Sequence, residues 1–318
     1  MKKAFSTLFA IDGEPRRGLI AAEWAVLAYM AATAFYVLAA WDTLSSPYGM
    51  LAGRLRIGAV VAALWAAYRL APCRAAMLAR VAAQLWLLSW WYPDTYELNK
   101  ALPNWDHLLA SWEQWLFGCQ PSLEFWRLLP GSVASEAMYF GYAAYYPMIA
   151  AVACYYFIRR YSEFTRAAFV ILGAFFLYYV VFVAFPATGP QYYFGAIGMD
   201  SAAAGHFPPV GTHFATHLDR VANPGWDGGF FYSMVEAAHN AGERPTAAFP
   251  SSHVGMGTVV MLLALRSRSR ALVGILAVPY ALMCLSTVYI QAHYAIDAIA
   301  GLVSGAAFYF ALMAVKAR

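Results

Sequence analysis

Charge is what this chain has least of. Of its 318 residues 12% are charged and 62% hydrophobic, where a soluble domain carries about 25% charged residues. A soluble globular fold is excluded, and the length suits about six to eight membrane spans. The net charge of +4 is too small and too scattered to suit a nucleic-acid partner. Cysteine is scarce too: Cys73, Cys119, Cys154 and Cys284 form no CxxC pair, which excludes a disulfide framework or a zinc site. Internal repeats and low-complexity linkers are absent. Lys2 and Lys3 are followed by no apolar core before Asp12, Glu14, Arg16 and Arg17, so the start reads as a cytoplasmic tail and not as a cleaved signal peptide.

Apolar runs are abundant. A span needs about 20 mostly apolar residues, and candidates lie near 18–41, 57–72, 75–92, 136–158, 167–186, 252–265, 271–290 and 293–315. Residues 1–74 are expected to form a tail and two additional spans, and 75–318 a catalytic membrane domain. Two polar stretches, 93–135 and 187–251, interrupt the spans. Trp90, Trp91, Trp105, Trp112 and Trp115 suit an interfacial belt. If all eight candidates cross and the N-terminus is cytoplasmic, Lys and Arg divide 15 cytoplasmic against 6 on the other face. The positive-inside rule favours that orientation. It makes both termini cytoplasmic and puts both polar stretches on the exoplasmic side. High alanine content and compact tails favour a bacterial inner membrane.

Two motifs carry the chemistry. Ionisable groups at a membrane helix are costly, which marks them as candidate functional groups. His293, Asp297, Gly301 and Gly305 recur every fourth residue and share one helical stripe. Asp297 can reach a His293 ring nitrogen, fixing the tautomer and leaving the other nitrogen nucleophilic. The two glycines permit close helix approach. Used alone, such a pair could equally well serve only to join helices. The second motif, Phe249-Pro250-Ser251-Ser252-His253, opens another helix. Pro250 suits a helix start, Ser251 or Ser252 caps a first turn whose free N–H groups attract anions, and His253 is placed to protonate a leaving oxygen.

The pair resembles the second and third signature motifs of the type 2 phosphatidic acid phosphatase superfamily. The second is usually Pro-Ser-Gly-His, here Pro250-Ser251-Ser252-His253; the third ends in His-x3-Asp, here His293 and Asp297. The resemblance implies that His293 attacks phosphorus to form a phosphohistidine, that Asp297 orients it, that His253 protonates the leaving alcohol and that Ser251 contacts phosphate. It also implies catalysis without metal or cofactor. The third motif usually begins Ser-Arg, but Thr287 follows Ser286 here. The first motif, Lys-x6-Arg-Pro, is missing, since Arg244-Pro245 has Ala237 at the lysine position. The run Ser286-Thr287-Val288-Tyr289-Ile290-Gln291-Ala292-His293-Tyr294 is similar to the inositol phosphorylceramide synthase branch. So are Phe185-Pro186-Ala187-Thr188-Gly189-Pro190 and Leu116-Phe117-Gly118 with Pro121.

A phosphate monoester carries nearly two negative charges and a diester one, so a site short of cations suits a diester. Arg244, nine residues before His253, is the first candidate to replace the missing cations, ahead of Arg220 and Lys100. Ser251, Ser252 and Arg244 are the expected phosphate ligands, and Gln191, Tyr192 and Tyr294 the expected substrate contacts. His206, His213, His217 and His239 share a loop, but spacing alone makes a metal site only a remote reading. Tyr139, Tyr142, Tyr145 and Tyr146 are expected to pack or to line a lipid groove.

The expected protein is therefore an all-α integral membrane enzyme with a six-helix catalytic core and an exoplasmic active site. It would move a phospho-headgroup, such as phosphoinositol, from a glycerophospholipid to a lipid alcohol such as ceramide. The alternatives are a lipid phosphate or pyrophosphate phosphatase using the same histidine and, ranked lower, a lipid transporter or scramblase. The oligomeric state stays open.

Overall fold

The computed structural model describes residues 7–13 and 15–316; Lys2, Lys3, Glu14 and Arg318 of the sequence reading lie outside the described residues. The fold is all-α. Three helices come first: α1 (Ala21–Ala39), α2 (Pro47–Leu70) and α3 (Arg74–Asn99). Short helices α4 (Asp106–Phe117) and α5 (Pro121–Leu128) lead to α6 (Ser132–Ala143), α7 (Tyr145–Arg159) and α8 (Tyr161–Ala184). A long connection holds α9 (Pro190–Ile197), α10 (Met199–Ala203) and α11 (Phe230–Asn240). It is followed by α12 (Ser252–Arg266), α13 (Arg270–Tyr289) and α14 (Ala295–Ala314). Five helices, α1, α2, α8, α13 and α14, are long and apolar enough to cross a membrane, and α12 is apolar but shorter.

The third expected span runs on to Asn99, into the stretch expected to be polar loop, and the second and fourth differ most from what forms. The second begins at Pro47, ten residues earlier than its hydropathy suggests, with proline at the first helical position. Of the two charges that disguised this start, Arg54 is neutralised inside the bundle by Asp94 of α3 at 2.7 Å, while Arg56 is exposed on the helix surface. Arg80 likewise pairs with Glu23 of α1, both side chains fully buried. Arg54 and Arg80 are thus wall residues, not loop markers, which leaves 14 basic residues against 5 in the orientation count. The fourth expected span is two helices, because Pro147 has no N–H to offer the carbonyl of Ala143 and its ring crowds it. The chain breaks at Ala144.

Helix α8 is the axis of the bundle, 72% buried along its apolar window. One core cluster joins Tyr29 of α1, Trp91 of α3, Met148 of α7, Phe176 of α8, Val259 of α12 and Tyr309 of α14. Helices α12 and α14 cross closely because Gly301 and Gly305 have no side chain. A Cβ at Gly301 would stand 2.5 Å from the Ser251 carbonyl oxygen, and one at Gly305 would stand 2.8 Å from Gly255 Cα. The Ser251 N–H also donates to the Asp297 carbonyl at 3.0 Å. These two ties put the two histidine-bearing turns side by side.

Candidate active site

His293 lies in the short turn between α13 and α14 and is 4% exposed. Its Nδ1 is 2.8 Å from the Ala248 carbonyl oxygen. A carbonyl only accepts, so Nδ1 carries the proton and Nε2 presents a lone pair. Burial pushes the imidazole down to about 4, against a smaller opposing effect of the Ala248 bond, so the ring is neutral near pH 7. Asp297 was expected to hold this ring. Its Oδ2 lies 3.6 Å from Nδ1, beyond hydrogen-bond length, and accepts the Tyr294 N–H at 2.9 Å. At the third position of α14 the aspartate turns back onto its own helix start, as in a capping box. The Ala248 carbonyl makes the direct contact to the ring.

His253 stands in the first turn of α12, its ring centroid 5.7 Å from that of His293 at 64°. Ser251 is the N-cap; its Oγ accepts from the Val254 N–H at 3.4 Å, and its carbonyl takes the Gly255 N–H. The N–H groups of Ser252 and His253 have no acceptor within the helix, as at any helix start. Tyr142 and Tyr145, from either side of the α6–α7 break, each lie 4.4 Å from the His253 ring. Instead of merely packing, these two tyrosines fix the second histidine. Tyr139 is buried with its hydroxyl on the Pro224 carbonyl, and Tyr146 is exposed.

Two acids that the sequence reading did not single out hold the site from α4. Asp106, fully buried, accepts from the Thr188 N–H at 2.7 Å, the Thr188 hydroxyl at 3.0 Å, the Gly189 N–H at 2.8 Å and Asn104 at 2.6 Å. The adjoining Ala187 carbonyl receives the Ala248 N–H at 3.0 Å. Asp106 therefore anchors the strip that anchors the carbonyl on His293. Gly189 has φ +85°, and a Cβ there would strike the Ala292 carbonyl. Glu113, also fully buried, accepts the Ile296 N–H at 3.1 Å at the start of α14. The seven-residue spacing of the two acids on one helix face was the available signal. Ala247 and Gln291, with φ of +68° and +62°, bracket the His293 turn; such left-handed backbone is uncommon for residues other than glycine and clusters at functional sites.

The expected cations separate clearly. Arg220 is bound to Glu236 at 2.7 Å and Lys100 to Glu97 at 2.7 Å, while among the described residues the Arg244 guanidinium has no ion-pair or hydrogen-bond partner. Ser252 is half-buried beside His253. Gln191 is 2% exposed, with its N–H on the Gln291 carbonyl at 3.0 Å. Tyr192 is 3% exposed and within electrostatic range of Arg244. Tyr294 is fully buried against Phe194, close to Asp106, Glu113 and Asp297. The His213 and His217 rings stack 4.1 Å apart in their loop. Among the described residues no group of three or more His, Cys, Asp and Glu could hold a metal ion. His239 has a carboxylate neighbour in Glu243 at 3.1 Å.

The site thus offers a neutral imidazole nitrogen, a second imidazole with its ring centroid 5.7 Å away, free helix-start N–H groups and, within electrostatic range of Tyr192, the uncommitted Arg244. No curated protein and no solved structure matches the chain. The family model of the PAP2 superfamily matches residues 107–311, from α4 into α14 and across both histidine turns. On that match the chain belongs to the PAP2 superfamily, whose members are phosphatases and phosphotransferases acting on phosphate esters.

Proposed function

We propose that the chain is a membrane lipid phosphotransferase that moves a phospho-headgroup, phosphoinositol in the first instance, from a glycerophospholipid to a lipid alcohol such as ceramide. The observation that carries this reading is the pair of imidazoles 5.7 Å apart, one of them with its Nδ1 proton committed to a carbonyl. His293 Nε2 attacks phosphorus, the bond from phosphorus to the glycerolipid oxygen breaks, and His253 gives that oxygen a proton. The acceptor hydroxyl then gives its proton to His253 and attacks phosphorus, and the P–N bond breaks. Asp297 steadies the imidazolium-like nitrogen from 3.6 Å, Arg244 and the N–H groups of Ser252 and His253 hold the phosphoryl oxygens, and Ser251 shapes that turn. A single free arginine matches the single charge of a diester.

The same phosphohistidine passed to water would make a phosphatase, and the breadth of the superfamily supports that as the second reading. We place α3, the broken pair α6–α7, α8, α12, α13 and α14 as the six-helix core, with α1 and α2 as additional spans. Both termini are then cytoplasmic and the histidine pair is exoplasmic. The test uses purified protein in mixed micelles with headgroup-labelled phosphatidylinositol. Label reaching a new lipid only when ceramide is added supports transfer. Water-soluble inositol phosphate appearing with or without ceramide supports hydrolysis. His293→Ala should abolish both, and its full activity would sink the assignment. His253→Ala should lower kcat by about 10²–10⁴-fold, the usual contribution of a positioned proton donor.

A further inference from the structure

Beside the histidine pair, a chain of five polar side chains ends on one carboxylate. Arg220 donates to Glu236 Oε2 at 2.7 Å, and the Asn223 amide nitrogen donates to Glu236 Oε1 at 2.6 Å. The same nitrogen lies 3.4 Å from His239 Nδ1. That nitrogen only donates, so the His239 proton is on Nε2, which stands 3.1 Å from Glu243 Oε2. One ring nitrogen accepts from Asn223, and the other stands against the Glu243 carboxyl at contact distance without hydrogen-bond geometry, so His239 abuts Glu243 as a buttress. Burial, with Arg220 nearby, keeps its imidazole neutral, pushed down to about 3. Oε2 is enclosed, while the Glu243 side chain as a whole is 18% exposed. The buttress therefore presents Oε1.

The surroundings of that oxygen are equally uncommitted. The phenols of Tyr92, Tyr142, Tyr146 and Tyr192 lie within electrostatic range of Glu243. Among the described residues none of the four hydroxyls is hydrogen-bonded within the protein, and none is sealed from solvent as an orphan. Tyr142 joins this group to the reacting centre, its ring 4.4 Å from that of His253 and 5.9 Å from that of His239. A group bound at Glu243 thus sits one aromatic ring away from phosphorus, where the far side of a headgroup would lie.

A carboxylate oxygen and four phenols ask for hydroxyl donors and acceptors. An ammonium fits less well: Arg220 and Arg244 both face this region, and the ring faces of Tyr142 and Tyr145 are already covered by His253. We infer that Glu243, held by the Arg220–Glu236–Asn223–His239 chain, is a headgroup-recognition residue that accepts hydrogen bonds from a polyhydroxylated headgroup on the phosphoryl group. The inference rests on the reading of the site as one that handles headgroup phosphates.

Binding tests it independently of turnover. The probes are myo-inositol 1-phosphate, phosphocholine and inorganic phosphate, titrated into the full-length protein in detergent by calorimetry, with Glu243→Ala and His239→Phe as variants. Inositol phosphate should bind the wild type at least tenfold tighter than either other probe. Glu243→Ala should cut that preference by about 10–100-fold, the worth of one hydrogen bond to a charged group, and His239→Phe, which frees the carboxylate to turn, by less. Equal binding of all three probes to the wild type, a preference for phosphocholine, or a preference that survives in Glu243→Ala would each overturn the inference. A headgroup preference in binding without transfer to ceramide would remove the transferase reading and keep the subsite.

Discussion

Glu113 is a buried carboxyl with no cation beside it among the described residues, and that fixes how it titrates. Burial is the main cause and the nearby Asp297 a further one, while the N–H groups of Ile296 and Ala295 oppose them; the carboxyl is pushed up from 4.5 to about 8. The folded chain keeps a proton that the unfolded chain releases above about pH 4.5. Its share of stability is full below that pH, falls through the window from 4.5 to 8, and is gone above it. Glu113→Gln keeps an oxygen for the Ile296 N–H and removes the titration. Its melting temperature in detergent should fall less between pH 5 and pH 8 than that of the wild type, with kcat within about threefold. Glu113→Ala leaves the start of α14 unheld and should lower kcat by about tenfold, on the scale of a lost cap. Equal behaviour of the two variants would mean that the cap does not position His293. His293 has the opposite sign: pushed down to about 4, it adds stability that is full above about pH 6.5 and is lost as the pH falls towards 4. The two histidines and Asp297 were legible in the sequence because each sits in a short local motif. The Ala248 carbonyl was not, because a backbone group 45 residues away leaves no side-chain signature.

The elements show the same division between local and distant causes. Hydropathy located α13 and α14 within two residues, since those helices hide little charge, and missed the first six residues of α8, which include Glu163 and Arg166. It missed the first ten residues of α2, where Arg54 is cancelled by an aspartate 40 residues on and Arg56 stays exposed, and it ran α6 and α7 together because Pro147 breaks a helix without altering its apolarity. That break matters for function, since it turns Tyr142 and Tyr145 onto the same histidine. The Gly301–Gly305 stripe was legible as a close contact, and its partner proves to be α12 of the same chain. Gly305→Ala puts a methyl against Gly255 backbone that cannot move aside; overpacking of this kind costs about 1–3 kcal/mol. Gly274→Ala, in α13 with nothing within 4 Å of the added Cβ, should instead gain up to about 1 kcal/mol from helix propensity. Thermal melts of the two variants in detergent should shift in opposite directions, with activity reduced only for Gly305→Ala. A neutral Gly305→Ala would show that the crossing is looser than this geometry.

At the scale of the molecule, everything chemical gathers at one end of the bundle. Asp106 reaches Thr188, Ala187 reaches Ala248, and Ala248 reaches His293, so the start of α4 and the loops before α9, α12 and α14 meet there. The opposite end carries Arg159, Arg160, Arg266, Arg268 and Arg270, with Arg160 bonded to the Ser267 carbonyl. Helix α4 lies across the active end with Trp112 and Trp115 exposed and Leu109, Asp106 and Glu113 buried. Its outer face therefore suits the membrane interface while its inner face steadies the His293 turn. In the proposed topology the basic end faces the cytoplasm by the positive-inside rule, and this helix and the histidines lie on the exoplasmic face. Cys119, exposed in the turn after α4, can test this. In a protein with Cys73, Cys154 and Cys284 replaced by alanine, a membrane-impermeant maleimide should label Cys119 in right-side-out vesicles. With all four cysteines removed and Arg268→Cys added, labelling should require permeabilised vesicles. The reverse pattern would place phosphoryl transfer on the cytoplasmic leaflet, where donor and acceptor lipids would have to be found instead.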